Sequence, residues 1–370
     1  MRLLLLLATS LLATGPAAAQ DDAEMPAGPV EFTLEPADRA DQVDLQISRR
    51  SGNNRWTIGR PMALSALPGL DRDALDGDGG PVRFALVRDA GRLDCEGVVR
   101  RRRGMGECRF TADPAFVAAL RERGIGTPTL NDQFAMTVND TGLAFVDELS
   151  RQRYETPTAS ELARAGNHGV TLDFVRGMGG HGYRVGSLAA LIRMRDHGVT
   201  PDYIAGLASY GISDIPTDQI VELRDHGVTP DYVGEMRRLG YGPLPVETLI
   251  QLRDHGVTAD YAGELARHGI RGVPAGDLVQ LRDHGVMPDF VGALHETGYV
   301  GLPTAEIISL RDHGVTGDYL RDLRRLGYSG LSADEIVRLR DHGVTGDFIR
   351  RANDGSRRSV DELVRLRTGG

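Results

Sequence analysis

Seven histidines stand at equal intervals in this 370-residue chain: His168, His197, His226, His255, His284, His313 and His342. Each is 29 residues from the next, and each is followed by Gly-Val. Imidazole ligates metals, moves protons and makes charged hydrogen bonds near neutral pH, so a row of them is where chemistry should be sought first. Metal sharing meets a distance problem. Packed helices lie about 8–10 Å apart, whereas zinc needs its nitrogens about 2 Å away. A structural role fits better: a histidine at a helix end can donate to the last carbonyls and suits the negative end of the helix. Capping alone does not demand one residue type, because the corresponding place in the second helix of each unit varies (Tyr210, Leu239, His268, Thr297, Leu326). A specific partner is therefore expected. The nearest downstream is the Asp of the following Thr-Pro-Asp (Thr-Ala-Asp after His255), which pairs His255 with Asp260. The Arg-Asp before the histidine, as in Arg253-Asp254, reads as a solvated helix face with modest ion pairs.

Other chemistries are narrowed by composition. All 43 basic residues are Arg; without Lys there is no P-loop, Schiff base or pyridoxal chemistry. A formal charge of −9 argues against nucleic-acid binding. There is no serine nucleophile elbow and no Gly-rich phosphate loop. Asp71, Asp73, Asp76 and Asp78 crowd one loop, but their spacing misses the EF-hand pattern, so an Asx-rich turn is expected. Arg100–Arg103 reads as a cationic turn exposed to solvent. No catalytic residue, metal ligand or cofactor is expected.

Residues 1–19 read as a secretory signal, with Arg2, the apolar run Leu3–Leu12 and the small-residue site Ala17-Ala18-Ala19; 20–27 then form a linker. The expected location is periplasmic or secreted, with no membrane span. In an oxidising compartment the only two cysteines, Cys95 and Cys108, are a natural disulfide pair.

The elements that carry these residues follow from two periods. Over 28–112 apolar residues alternate (Val30, Phe32, Leu34; Val43, Leu45, Ile47; Val82, Phe84, Leu86; Leu93, Cys95, Gly97, Val99), which predicts a small antiparallel β domain. A hairpin turning near Arg101–Arg103 sets Cys95 opposite Cys108. From 113 to 368 the 29-residue period dominates. An aromatic recurs from Phe116 through Phe145, Phe174 and Tyr203 to Phe348, and Asn139-Asp140-Thr141 is a degenerate copy of His-Gly-Val. Each unit holds two stop signals, such as Leu223–Val228 and Met236–Tyr241, with Gly at the left-handed position of a Schellman ending. Thr229-Pro230-Asp231 is a start signal, and Thr158–Glu161 and Ser332–Glu335 read as capping boxes. Helices of about ten residues do not persist alone, so Ile220, Val221, Leu223, Tyr232, Val233 and Met236 form one repeat's core. Near the C-terminal end Val360–Leu366 reads as a first helix shifted by two residues. The fold class is α+β, an antiparallel sheet followed by an α-solenoid with two short helices per 29 residues.

The unit His-Gly-Val-Thr-Pro-Asp-[Phe/Tyr] with a following Leu-Gly-Tyr resembles helical repeats of bacterial secreted proteins. Similar repeats are appended to some membrane metallopeptidases of the β-lactam-sensor type. Arg88–Gly91, Cys95-Glu-Gly97 and Phe110–Phe116 resemble the β segment that precedes such repeats, and the likeness covers roughly 80–370. It implies no catalytic residue: the peptidase part is missing, and His295-Glu296 has Tyr299 where a second zinc-binding His would stand. The expected function is a non-catalytic scaffold for a protein partner in the cell envelope. A binder of cell-wall glycan or another envelope ligand, using Tyr and Arg along one face, is the alternative; a hydrolase assembled from scattered residues is a third.

Overall fold

The computed structural model describes residues 30–51, 54–76 and 79–369. The expected signal peptide and linker lie outside the described residues, and so does Asp78 of the acidic loop. Packing divides the chain into two units: the chain up to Asp147 with Thr156–Asn167, and Glu148–Glu155 with the chain from His168 onward.

The first unit is built on one antiparallel sheet. Its strands are β1 (Val30–Pro36), β2 (Gln42–Ser51), β3 (Asn54–Ala63), β4 (Gly80–Arg88), β5 (Gly91–Arg100) and β6 (Arg103–Ala112), in the order β3-β2-β1-β6-β5-β4. The alternation works as expected: Val30, Phe32, Leu34, Leu45, Ile47, Phe84 and Leu93 are buried on one face. β3 has no counterpart in the alternating runs of the sequence. It is an edge strand carrying Pro61, which an edge tolerates because a proline cannot donate to the ladder. The β5–β6 hairpin turns at Arg101 and Arg102, both with positive φ (50° and 65°). Its register pairs Cys95 with Cys108, and the two form a disulfide with Cα atoms 4.0 Å apart. Gly106 lies under Phe32, where an added Cβ would come 2.7 Å from the ring and 2.2 Å from the Glu96 carbonyl oxygen. Larger residues are thereby excluded from this place in the sheet.

Between β3 and β4 lies the short helix α1 (Arg72–Asp76). Asp71 accepts from the Ala74 backbone N–H, and Asp76 pairs with Arg72 and Arg102. The described part of the acidic loop is thus a capped turn held by arginine, and Arg102 and Arg103 of the cationic turn face Asp76 and Glu35. Four helices follow: α2 (Pro114–Glu122), α3 (Leu130–Asn139), α4 (Leu143–Arg151) and α5 (Ala159–Asn167). The period changes at about residue 112, yet packing with the sheet continues further. Phe134 of α3 meets Trp56 and Phe110 edge-on at 5.8 and 5.5 Å, so helix residues complete the sheet's core.

The second unit is the helical array. Its first helices are α7 (Leu188–Asp196), α9 (Thr217–Asp225), α11 (Val246–Asp254), α13 (Ala275–Asp283), α15 (Thr304–Asp312), α17 (Ala333–Asp341) and α19 (Val360–Thr368). Its second helices are α6 (Leu172–Gly180), α8 (Pro201–Ala208), α10 (Pro230–Arg238), α12 (Ala259–Arg267), α14 (Pro288–Thr297), α16 (Gly317–Arg325) and α18 (Gly346–Ala352). From α9 onward first helices pack on first helices, and second helices pack on second helices, each on its nearest neighbours. Ile220, Val221, Leu223, Tyr232, Val233 and Met236 are all buried. The stop signals form as read: Val228 and Tyr241 donate their N–H groups to the carbonyls of Leu223 and Met236, and Gly227 and Gly240 have φ of 69° and 92°. Thr229 accepts from the Tyr232 N–H, and Ser332 and Glu335 close a capping box. No helix among the described residues is long and apolar enough to cross a membrane.

Candidate functional site

The repeated segment Arg-Asp-His-Gly-Val sits at the C-terminal end of each first helix, and it bonds one repeat to the next. The histidine's partner lies 28 residues ahead: it is the Asp immediately before the next histidine. Nδ1 of His168, His197, His226, His255, His284 and His313 lies 2.5–2.9 Å from an oxygen of Asp196, Asp225, Asp254, Asp283, Asp312 and Asp341. An ionised carboxylate only accepts, so Nδ1 carries the proton that is donated. The expected pairing of His255 with Asp260 does not form. The start of the second helix is already satisfied by Thr258, which accepts from the Tyr261 N–H, while the neighbouring repeat brings Asp283 to the imidazole. In the last copy Arg367 takes the arginine's place, and Thr368 follows it where the other copies have Asp. In the other direction the ladder reaches the degenerate copy, where the Asn139 amide donates to Asn167 Oδ1 at 2.8 Å.

Arginine makes the second bond of the clasp. Arg195, Arg224, Arg253, Arg282, Arg311, Arg340 and Arg367 each lie over the aromatic ring of the preceding repeat, 5.0–5.9 Å from its centroid. The guanidinium plane meets the negative face of the ring there. Nε of Arg311, Arg340 and Arg367 also donates to the carbonyl oxygens of Gly285, Gly314 and Gly343, at 2.9–3.0 Å. The tyrosines add a third bond: Tyr203, Tyr232, Tyr261 and Tyr319 donate their hydroxyls to the carbonyls of Val228, Val257, Val286 and Val344. These rings are buried, 5–6% exposed. Burial pushes the phenols of Tyr232, Tyr261 and Tyr319 up to about 12, and that of Tyr203 higher still, because the ionised form would lose its water. The glycine has two tasks. It holds φ between 65° and 73° in all seven copies, and it leaves room for the next repeat's arginine, whose Nε would stand 3.2 Å from a Cβ placed on Gly198.

The Arg-Asp pair is therefore a bridge between repeats rather than a merely solvated face. The histidine and aspartate side chains remain 37–46% exposed, so their outer edges form a periodic polar row. Among the described residues no three His, Cys, Asp or Glu are grouped to hold a metal ion. Sequence reasoning stopped at the next carboxylate downstream; the signal for the true one was the 28-residue offset between each His and the Asp one period on. It also passed over Glu148, Arg153, Arg176 and Arg184, which line a cavity in the second unit. Fold and clasp define an α+β chain with an α-solenoid of 29-residue units. No known protein family matches the chain, and no curated protein is similar to it.

Proposed function

We propose that the chain is a non-catalytic interaction scaffold that binds a protein partner through the exposed side of its helical array. One observation carries this reading: the clasp is uniform from copy to copy, while exposed positions of the second helices are not. At one such position successive repeats hold Ser209, Arg238, Arg267, Glu296 and Arg325. Arg238 and Arg267 are each 72% exposed. A rigid frame with a varied outer charge pattern suits recognition of one specific surface, because electrostatic complementarity selects partners. The glycan alternative needs exposed aromatic rings, and the repeated rings are buried beneath arginine; this favours the protein partner.

Affinity capture with the tagged chain from the envelope of its own cell tests the reading. One stoichiometric protein should be recovered. A variant carrying Glu235→Arg, Arg238→Glu, Glu264→Arg and Arg267→Glu should lose it without any change in melting temperature. Retention on isolated wall material, unaffected by that variant, would replace the protein partner by a glycan.

A further inference from the structure

The turn after α4 breaks the rule that the other repeats keep. After the second helix of each unit a glycine takes the left-handed position: Gly124, Gly182, Gly211, Gly240, Gly269, Gly298 and Gly327 all have positive φ. In the copy that ends α4 the residue is Arg153, with φ of 63°. An L-residue in this conformation is strained relative to the right-handed region, because its Cβ crowds the following carbonyl oxygen. Strain of this kind is characteristic of sites where a side chain is needed in place.

That place is the rim of a cavity of about 680 Å³ within the second unit, a volume suited to a small organic ligand. Four arginines line it, Arg151, Arg153, Arg176 and Arg184, against a single carboxylate, Glu148. The excess of three positive charges occurs in a chain whose net charge is −9. Glu148 is buried, its side chain 3% exposed, and it anchors one side of the site: Arg176 Nε lies 3.2 Å and Gln152 Nε2 2.6 Å from its oxygens, and Arg151 reaches it too. Burial opposes its charge, but these donors outweigh burial and hold the carboxyl below the usual range. Arg153 and Arg184 have no carboxylate partner among the described residues. At the position of Arg184 the following repeats carry Ser213, Gly242, Arg271, Val300 and Ser329; Arg153 is the cation peculiar to this one turn, and only here do the two arginines occur together.

We propose that this cavity binds a phosphate monoester, with Arg153 and Arg184 as the cations that face the phosphate and Arg151 and Arg176 held in position by Glu148. Guanidinium forks match phosphate oxygens in pairs, and a dianion leaves the cavity close to neutral. The volume left beyond the phosphate accommodates its organic group.

The full chain is titrated at low ionic strength by calorimetry with inorganic phosphate, glucose 6-phosphate and succinate. Vesicles of phosphatidylcholine with and without phosphatidic acid form a second arm, followed by co-sedimentation. Saturable binding of glucose 6-phosphate is expected, tighter than that of succinate, and weakened at least tenfold in both Arg153→Gly and Arg184→Ser. Arg153→Gly restores the residue of the other repeats, so it should also melt at a higher temperature, which separates lost binding from lost folding. Binding confined to vesicles with phosphatidic acid, and lost in the same variants, places the phosphate on a lipid. The proposal is overturned if no phosphate probe binds, if succinate binds as well as the phosphate ester, or if both variants bind like the parent.

Discussion

The clasp tyrosines make a sharp demand on the alkaline limb of stability. The fold holds Tyr232, Tyr261 and Tyr319 neutral up to about pH 12, against an ordinary value of 10.0. A phenol whose folded pKa is raised adds stability that is fully present below pH 10 and is lost as pH climbs through the folded value, since the unfolded chain ionises first. Two pH units at roughly 1.4 kcal/mol each give about 3 kcal/mol per tyrosine, and about 9 kcal/mol for the three. That is comparable with the ~5–15 kcal/mol that keeps a whole domain folded. The chain has no lysine and both cysteines are in a disulfide, so tyrosine governs this pH window. Phe174, Phe290 and Phe348 already occupy the same register, so Tyr→Phe at 232, 261 and 319 keeps the packing and the arginine contact. It leaves three carbonyls without their hydroxyl donors, at about 1 kcal/mol each. Urea denaturation followed by circular dichroism from pH 8 to 12 should therefore give crossing curves: the triple variant weaker at pH 8 and stronger at pH 12. Tyr154, Tyr183, Tyr241 and Tyr299 are also raised by burial, so the alkaline decline becomes shallower and does not vanish. An alkaline decline as steep in the variant as in the parent would refute the account.

Three further outcomes are open to measurement. In a double-mutant cycle His255→Ala and Asp283→Ala should couple by about 0.2–1 kcal/mol, the range for pairs this exposed, whereas His255→Ala and Asp260→Ala should be additive; coupling to Asp260 in place of Asp283 would contradict the register. Gly227→Ala should cost about 1–2 kcal/mol through its left-handed backbone, with a new Cβ set 3.3 Å from Arg253, while Gly242→Ala, which meets nothing within 4 Å, should change the urea midpoint little; equal effects would refute the reasoning. Replacing Cys95 and Cys108 by Ala opens a cross-link 13 residues apart and should cost the first unit about 3 kcal/mol by loop entropy, a loss visible as a lower melting temperature and absent if the pair is idle.

The array was legible because its signals are local. Stop glycines, Thr caps and apolar spacing lie within ten residues of one another, and each formed the structure its chemistry favours. The sheet was legible where it alternates, and the Cys95–Cys108 register followed from the turn. β3 was not, because Arg60 takes an inward-facing place in the alternation of Trp56, Ile58 and Met62. The fold accommodates that charge by aiming the guanidinium at the Asn139 side chain, 2.8 Å away. The histidine's partner was misjudged for a related reason. Distance along the chain favoured Asp260, and only stacking of repeats brings Asp283 within reach. Arg153 was visible in the sequence as the one non-glycine among the turn glycines from Gly124 to Gly327, but only after the repeats are aligned on the second helix.

The clasp also accounts for why the repeats are so alike. Each arginine covers a ring of the repeat before it, each aspartate meets the histidine before it, and each histidine meets the aspartate after it. A change in one copy therefore disturbs the bonds of a neighbour, and a matching change one period away can restore them. The degenerate copy shows such a paired change: Asn139 stands where the others have His, and Asn167 where they have Asp, and the two still bond. Uniformity imposed by neighbours is no sign of a ligand shared by the histidines. The positions released from that constraint, the outer face of the second helices and the arginine-lined turn after α4, are the ones free to be shaped by what the protein binds.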